Sequence, residues 1–277
     1  MNTFYEIKER IKGSFLGEKI YAVWYGIGRQ WDNFVLKKYE NAGYSEQIRS
    51  YKNNAVGKRC FIIGNGPSLR LSDLEQLEGE DTFAANRIYG AFEKIDWHPT
   101  YYWCQDSSVM RDIIDDIDKI EKKVPNIFLN YLGFLETKLP LIYRENVHYF
   151  YASWRQGKCG EITFSTDCER YIGASMTVVY AMIQFAVYMG YREIYLLGID
   201  HNYSQANDGT IQDTSYAEFI AKKDLSQYNL PHLDMSTRAY VEARKYCDNH
   251  NIKIYNATRG GKLEVFERVD FEKILKI

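Results

Sequence analysis

Apolar positions recur at helical spacing through residues 1–50: Ile7, Ile11, Phe15, Ile20, Val23 and Trp24, then Phe34, Val35 and Tyr39. The pattern predicts an amphipathic helical extension over residues 1–55, interrupted at Gly26 and Gly28. Such a segment can pack on a main domain, join subunits or touch a membrane surface. Packing on the main domain is the simplest account.

The pattern changes over residues 56–277. Arg59 to Ile63 is a short apolar run ending in Gly64-Asn65-Gly66-Pro67-Ser68, which reads as a buried strand followed by a glycine turn. Ser72 and Glu75 have capping-box spacing, so a short helix is expected there. Asp81 to Ala85 and Pro99 to Cys104 are strand candidates, ending at Asn86-Arg87 and at Gln105-Asp106-Ser107-Ser108. A helix over 109–122 and strands over 126–130 and 147–151 follow. Ser175 to Met189 reads as an apolar helix stopped by Gly190, then strand Glu193 to Leu197, ending Gly198-Ile199-Asp200-His201. Segment 202–230 is polar with weak periodicity. Helix 235–249, strand Lys253 to Tyr255, a loop from Asn256 to Gly261 and a short helix over 269–276 complete the chain. Strands alternating with helices predict an α/β fold, a Rossmann-like, doubly wound, mostly parallel sheet behind the N-terminal helical extension.

Composition narrows the function classes. Lys and Arg number 35 against 37 Asp and Glu, a net charge of −2, so no basic field favours a nucleic-acid partner. Five cysteines without a CxxC read as reduced thiols, and their spacing supplies no zinc site. The N-terminus has Glu6 and Glu9 and no apolar core of a signal peptide. The most apolar stretch, Ala174 to Met189, is short of the roughly 20 residues a bilayer span needs. A cytoplasmic protein is expected, with a peripheral contact at the inner face of the membrane and a homo-oligomer left open. The 24 tyrosines suit a polar ligand surface or reflect a composition bias.

Ligands of open α/β sheets bind beyond the carboxyl ends of the strands. Those ends carry Gly64, Asn65, Gly66, Ser68, Asn86, Gln105, Asp106, Asp200 and His201, with Tyr203 close behind. The glycine turn is neither GxGxxG nor a Walker A loop, and Asn86 stands where a dinucleotide site wants an acid. Gly173-Ala174-Ser175 opens the apolar helix, where small residues leave a helix N-terminus open to an anion or simply pack closely. His232 and His201 are candidate bases or ordinary structural histidines, and His148 lies within an apolar run. Asp115-Asp116-Ile117-Asp118 reads as a solvated helix face, leaving Asp106 and Asp200 as the better-placed carboxylates.

GNGPSL (64–69), AANRIY (84–89) and MGYREIYLLGID (189–200) together resemble the bacterial sialyltransferases of glycosyltransferase family 42. They also resemble the wider domain of flagellin-glycosylation accessory and 6-hydroxymethylpterin pyrophosphokinase MptE-like proteins, to which NATRGGKLEVFERVDF (256–271) is the more similar. The resemblance spans roughly residues 58–271. It implies a metal-independent glycosyltransferase with no cofactor, moving a sialic acid-like sugar from a CMP-activated donor to a glycan acceptor in cell-surface polysaccharide synthesis. Carried over, Asn65, Ser68 and Asn86 touch the donor, and Gly173-Ala174-Ser175 replaces a Ser/Thr-Gly pair. Tyr203 and Tyr216 stabilise the departing phosphate, and His232 is the general base. The alternatives are a Mg-ATP-dependent pyrophosphokinase acting on a hydroxymethylpterin-like alcohol, with Asp106 and Asp200 as candidate ligands, and a non-catalytic nucleotide-sugar-binding module.

Overall fold

Ten strands and eight α-helices are seen in the computed structural model, which describes residues 15–157, 161–203, 216–220 and 232–276. The strands are β1 (Arg59–Ile63), β2 (Thr82–Ala85), β3 (Tyr101–Cys104), β4 (Asn126–Asn130), β5 (Val147–Phe150), β6 (Ala152–Ser153), β7 (Ile172–Gly173), β8 (Glu193–Leu197), β9 (Lys253–Asn256) and β10 (Glu267–Arg268). The helices are α1 (Phe15–Asn41), α2 (Tyr44–Arg49), α3 (Leu71–Glu75), α4 (Ser107–Glu121), α5 (Tyr131–Thr137), α6 (Val178–Met189), α7 (Leu233–Asn249) and α8 (Phe271–Ile274). Eight strands form one sheet in the order β10-β9-β8-β1-β2-β3-β4-β5, with every pairing parallel. β6 and β7 pair separately.

The chain winds outward from β1 to β5, then returns so that β8 pairs with β1 on its other side. The winding reverses between β1 and β8, and that reversal opens a crevice at the carboxyl ends of these two strands.

Alternation along β1 explains why an unbroken apolar run makes a strand here. Phe61 and Ile63 enter the core on one face, Cys60 and Ile62 the core on the other. α6 is apolar on all sides because it is enclosed in that second core, from Val179 to Met189. α4 is amphipathic and buries only Met110, Ile113, Ile117 and Ile120. Asp115 and Asp118 are exposed on the outer face of α4, while the half-buried Asp116 accepts from Tyr89 Oη at 3.0 Å and pairs with Lys119 at 3.3 Å. Cys60, Cys104, Cys168 and Cys247 are buried free thiols, and Cys159 lies outside the described residues.

The N-terminal helices cover the β5 edge. Tyr39 on α1 donates to the Tyr149 carbonyl at 3.1 Å, and its ring packs with those of Tyr44, Tyr131 and Tyr151. The β5 edge is thereby closed to other chains.

Several expectations are corrected. α1 runs through Gly26 and Gly28 without a break. The side chain of Arg155 lies across Gly28, where a Cβ would meet its Nε at 2.5 Å. The start of α3 is held by Asp73, which accepts from the Arg70 amide at 3.0 Å, rather than by Ser72 and Glu75. α6 begins at Val178 with Thr177 as its cap, three residues later than the apolar run suggests. Gly173 therefore belongs to β7, not to a helix start. α5, the β6–β7 pair and β10 were not apparent in the pattern, and the last helix is shorter than expected.

Candidate functional site

A cavity of about 390 Å³ opens at the reversal point, walled by the residues that follow β1, β2, β3 and β8, and by the start of α6. Its floor is built by two turns locked together. Gly64 N–H donates to Leu197 O at 2.8 Å and Gly66 N–H to Gly198 O at 2.9 Å. A Cβ on Gly66 would sit 2.0 Å from Asp200 Oδ2, and one on Gly64 2.4 Å from Gly198 O. The glycines are thus required by the approach of the second turn, not by the approach of a phosphate.

Asp200 clamps this pair of turns. Its Oδ2 accepts from Ser68 Oγ at 2.7 Å and from Ser68 N–H at 3.4 Å. Burial pushes its carboxyl up from the ordinary value, against the pull of these two bonds. Ser68 is engaged in this clamp and is not among the residues lining the cavity. Asp106 likewise caps α4, its Oδ1 accepting from Ser108 N–H at 2.7 Å and Oγ at 2.6 Å.

Three side-chain carbonyls of cavity-lining residues lack a hydrogen-bond partner. Asn65 Oδ1, Asn86 Oδ1 and Gln105 Oε1 are buried with no hydrogen-bond partner among the described residues. They follow β1, β2 and β3, three adjacent strands, and all three residues line the cavity. The amide orientations follow from their other ends. Asn65 Nδ2 donates to Ala85 O at 3.1 Å, and Gln105 Nε2 donates to Ser175 O at 3.0 Å. Leaving such an acceptor unpaired costs about 1–3 kcal/mol, which a ligand O–H or N–H recovers. Asn86 holds a left-handed conformation (φ 57), tolerable for Asn, with Tyr102 Oη donating to its carbonyl.

His201 also lines the cavity and also holds a left-handed backbone (φ 52). This conformation is uncommon for His and marks a site the surrounding fold enforces. Its Nε2 is 2.8 Å from Thr237 Oγ1, and Thr237 donates its own proton to Leu233 O at 2.8 Å. With the Thr237 hydrogen on Leu233 O, the tautomer that fits this contact carries its own hydrogen on Nε2. Burial lowers the imidazole from its ordinary value, which favours its neutral form. His232, by contrast, is exposed at the N-cap of α7 and is absent from the cavity wall. The α7 start supplies Thr237 and Tyr240, which hold His201.

Of the remaining predicted residues, Ala174, Ser175, Tyr203 and Tyr216 line the cavity and Gly173 does not. A Cβ on Gly173 would meet Thr163 O at 1.7 Å, so the glycine serves close packing of β7. The rings of Tyr203 and Tyr216 meet at 6.2 Å, and burial pushes the Tyr216 phenol up, keeping its proton. Thr177 and Trp154 line the cavity and were missed. Thr177 accepts from Val179 N–H at 3.3 Å, and the Thr177 signal, a hydroxyl opening an apolar run, was present in the sequence. The cavity wall holds one guanidinium, Arg87, which pairs with Asp112 and whose pKa burial lowers.

Residues 33–206, more than half of the chain, match the sequence model of the 6-hydroxymethylpterin diphosphokinase MptE-like family. The chain belongs to this family. The MptE-like match begins inside α1 and ends beyond His201, so it includes Asn65, Asn86, Gln105, Asp106 and Asp200. No curated protein matches the sequence. Among solved structures, the MAf glycosyltransferase from Magnetospirillum magneticum AMB-1 is 16% identical with a TM-score of 0.48, over 83% of this chain and 38% of that one. This chain thus spans well under half of that protein's length. The sialyltransferase CstII from Campylobacter jejuni in complex with cytidine-5'-monophosphate is 21% identical, with a TM-score of 0.44 over 77% of this chain and 85% of that one. A CST-II variant in complex with CMP is 21% identical, with a TM-score of 0.47 over 76% and 86%.

Proposed function

We propose that this MptE-like protein is a glycosyltransferase that moves a sialic acid-like sugar from a CMP-activated donor to a glycan hydroxyl. The row of unsatisfied carbonyls on Asn65, Asn86 and Gln105 carries the reading. Three acceptors at adjacent strand ends pair with ribose, sugar and base-amino donors, groups a nucleotide sugar supplies. Among the described residues the inner wall is otherwise neutral. Asp200 is a clamp and Asp106 a cap, Glu136 is exposed at the rim, and Arg87 already has a carboxylate partner. Such a wall suits a donor that leaves as a monophosphate, with helix-start amides near Thr177 and the Tyr216 phenol donating to it.

In this scheme the acceptor oxygen attacks the anomeric carbon, the carbon–oxygen bond to the phosphate breaks, and CMP departs with the bonding pair. The acceptor proton passes to His201 Nδ1. A glycan acceptor in cell-surface polysaccharide synthesis and a place at the inner face of a membrane belong to the same reading.

The family's name supports a second reading, transfer of diphosphate from ATP to a pterin-like alcohol, with Mg²⁺. Asp200 and Asp106, the candidate ligands of that metal, are turned onto Ser68 and Ser108. Among the described residues no three His, Cys, Asp or Glu gather around one point.

Thermal unfolding with CMP, CDP, UDP, ADP and ATP, each in EDTA and in Mg²⁺, separates the readings. A ligand that binds only the folded state raises the midpoint. CMP should do so in EDTA. A rise with ATP and Mg²⁺ alone would overturn the CMP-sugar reading in favour of the diphosphokinase.

A further inference from the structure

We propose that α1 docks the protein on an anionic lipid bilayer surface, lying in the interface without crossing it. The helix has two apolar faces. One is buried on the domain through Val35, Leu36 and Tyr39, and is latched by Asp32, which accepts from Ser153 Oγ at 2.7 Å and pairs with Arg155 at 3.0 Å. Tyr151 Oη donates to the Asp32 carbonyl and Tyr25 Oη to Gly157 O, both at 3.0 Å.

Among the described residues nothing covers the other face. Ile20, Val23, Trp24, Ile27, Trp31 and Phe34 follow at spacings of three and four, and their exposure ranges from 47% to 67%. On a helical wheel they form one stripe about 100° wide, adjoining the buried face but separate from it. Most of this stripe precedes residue 33, where the family match begins.

Charge decides the occupant. Asp32 is the acidic residue between positions 20 and 38, and it is buried; the exposed charges there are Arg29, Lys37 and Lys38. On the helical wheel Lys38 lies on the stripe and Lys37 beside it, with Arg29 on the far side, so a second copy pairing through the stripe would bring lysines together with no exposed carboxylate on this stretch to answer them. An anionic bilayer answers both features, its acyl layer taking the apolar stripe and its headgroups the cations. Trp24 and Trp31 suit this depth, since the indole is apolar in body and polar at its N–H. No helix of the described residues is long and apolar enough to cross a membrane, so α1 lies on the surface. The latch residue Arg155 directly follows Trp154 of the cavity wall, so a docked α1 holds that wall beside the bilayer.

Co-sedimentation of the full chain with vesicles tests this. Vesicles of phosphatidylcholine mixed with phosphatidylglycerol should bind the protein, and pure phosphatidylcholine should bind it less. The double substitution Trp24→Ser with Trp31→Ser should lower partitioning about ten-fold or more, since binding scales with buried apolar area. Arg29→Gln, Lys37→Gln and Lys38→Gln should each cost about five-fold, on the mixed vesicles only. The substituted side chains are exposed, and an unchanged unfolding midpoint checks that each variant folds. Equal partitioning of parent and tryptophan variant overturns the proposal. So does a dimer in solution that the tryptophan variant splits while the parent ignores vesicles, because the occupant is then a second copy.

Discussion

Two regions of the molecule are rich in tyrosine and use it oppositely. At the β5 edge, hydroxyls end on backbone oxygens: Tyr39 on Tyr149, Tyr149 on Ile142 and Tyr151 on Asp32. At the cavity, Tyr203 and Tyr216 meet ring to ring beside carbonyls that lack donors. Tyrosine abundance therefore does not locate function. What distinguishes the regions is whether the polar groups are already answered from within the fold. The same contrast separates two histidines. His148 on β5 and His201 at the cavity both have their pKa lowered by burial, but of the two only His201 lines the cavity.

The sharpest way to break the comparison is to remove the two candidate bases in turn. His201→Ala should lower turnover about 10²–10⁴-fold while a CMP-induced midpoint shift survives. His232→Ala should leave turnover near the parent's. The reverse ranking, measured with the same donor and acceptor, would move the base to α7.

Tyr39→Ala should cost about 3–5 kcal/mol of stability in denaturant unfolding, because a large buried ring leaves a cavity. Its nucleotide affinity should not change. Tyr216→Phe should behave inversely, with normal stability and slower turnover. A destabilised Tyr216→Phe would show that the cavity tyrosines are structural as well.

Asp200→Asn tests the clamp. It weakens the acceptor for Ser68 and should cost about 1–3 kcal/mol together with most nucleotide binding. Ser68→Ala should reproduce the effect in weaker form. If Ser68→Ala abolished binding with no loss of stability, Ser68 would be a ligand contact after all.

The pH dependence of stability reports on the edge. Burial pulls His148 down from 6.5 to about 4. The unfolded chain takes up a proton near its ordinary value and the folded one does not, so stability present above about 6.5 declines as pH falls toward 4. The loss amounts to roughly 2 kcal/mol once the partial exposure of the ring is allowed for. His148→Gln should flatten that window, and an unchanged slope would assign the acid lability elsewhere. The lowered His201 should likewise place the acid limb of the rate profile below 6.5.

Tyr39→Phe should be the smallest of these changes, about 1 kcal/mol for one hydrogen bond. A larger loss would mean that covering the β5 edge depends on that single hydroxyl.

Much of the sheet was legible because its signals are local. β1, β2, β3, β4, β8 and β9 lie where short apolar runs meet glycine or polar turns, and α4 and α7 where period 3.6 holds. The start of α6 was misplaced because Ala174 and Ser175 are apolar or small without being helical. They belong to a connection that packs against Gln105 and β7. Gly26 and Gly28 suggested an interruption because glycine weakens an isolated helix, whereas tertiary anchoring through Asp32 and Tyr25 carries α1 across them. In the site, the strand-end positions of Asn65, Asn86, Gln105, Asp200 and His201 followed from the sheet alone. The choice between His201 and His232 did not.

The sequence by itself determined the alternation of strands and helices, the reduced thiols and the polar character of the strand ends, since these depend on neighbours within a few residues. Tertiary structure alone decided which polar groups are spent and which remain. Ser68 meets Asp200 across 132 residues of chain because β8 returns to pair with β1. That return closes the clamp, leaves three carbonyls unanswered and turns His201 into the cavity, and the same packing leaves one apolar face of α1 exposed. Periodicity identifies an apolar face, but only the arrangement of all the elements decides whether anything in the fold covers it.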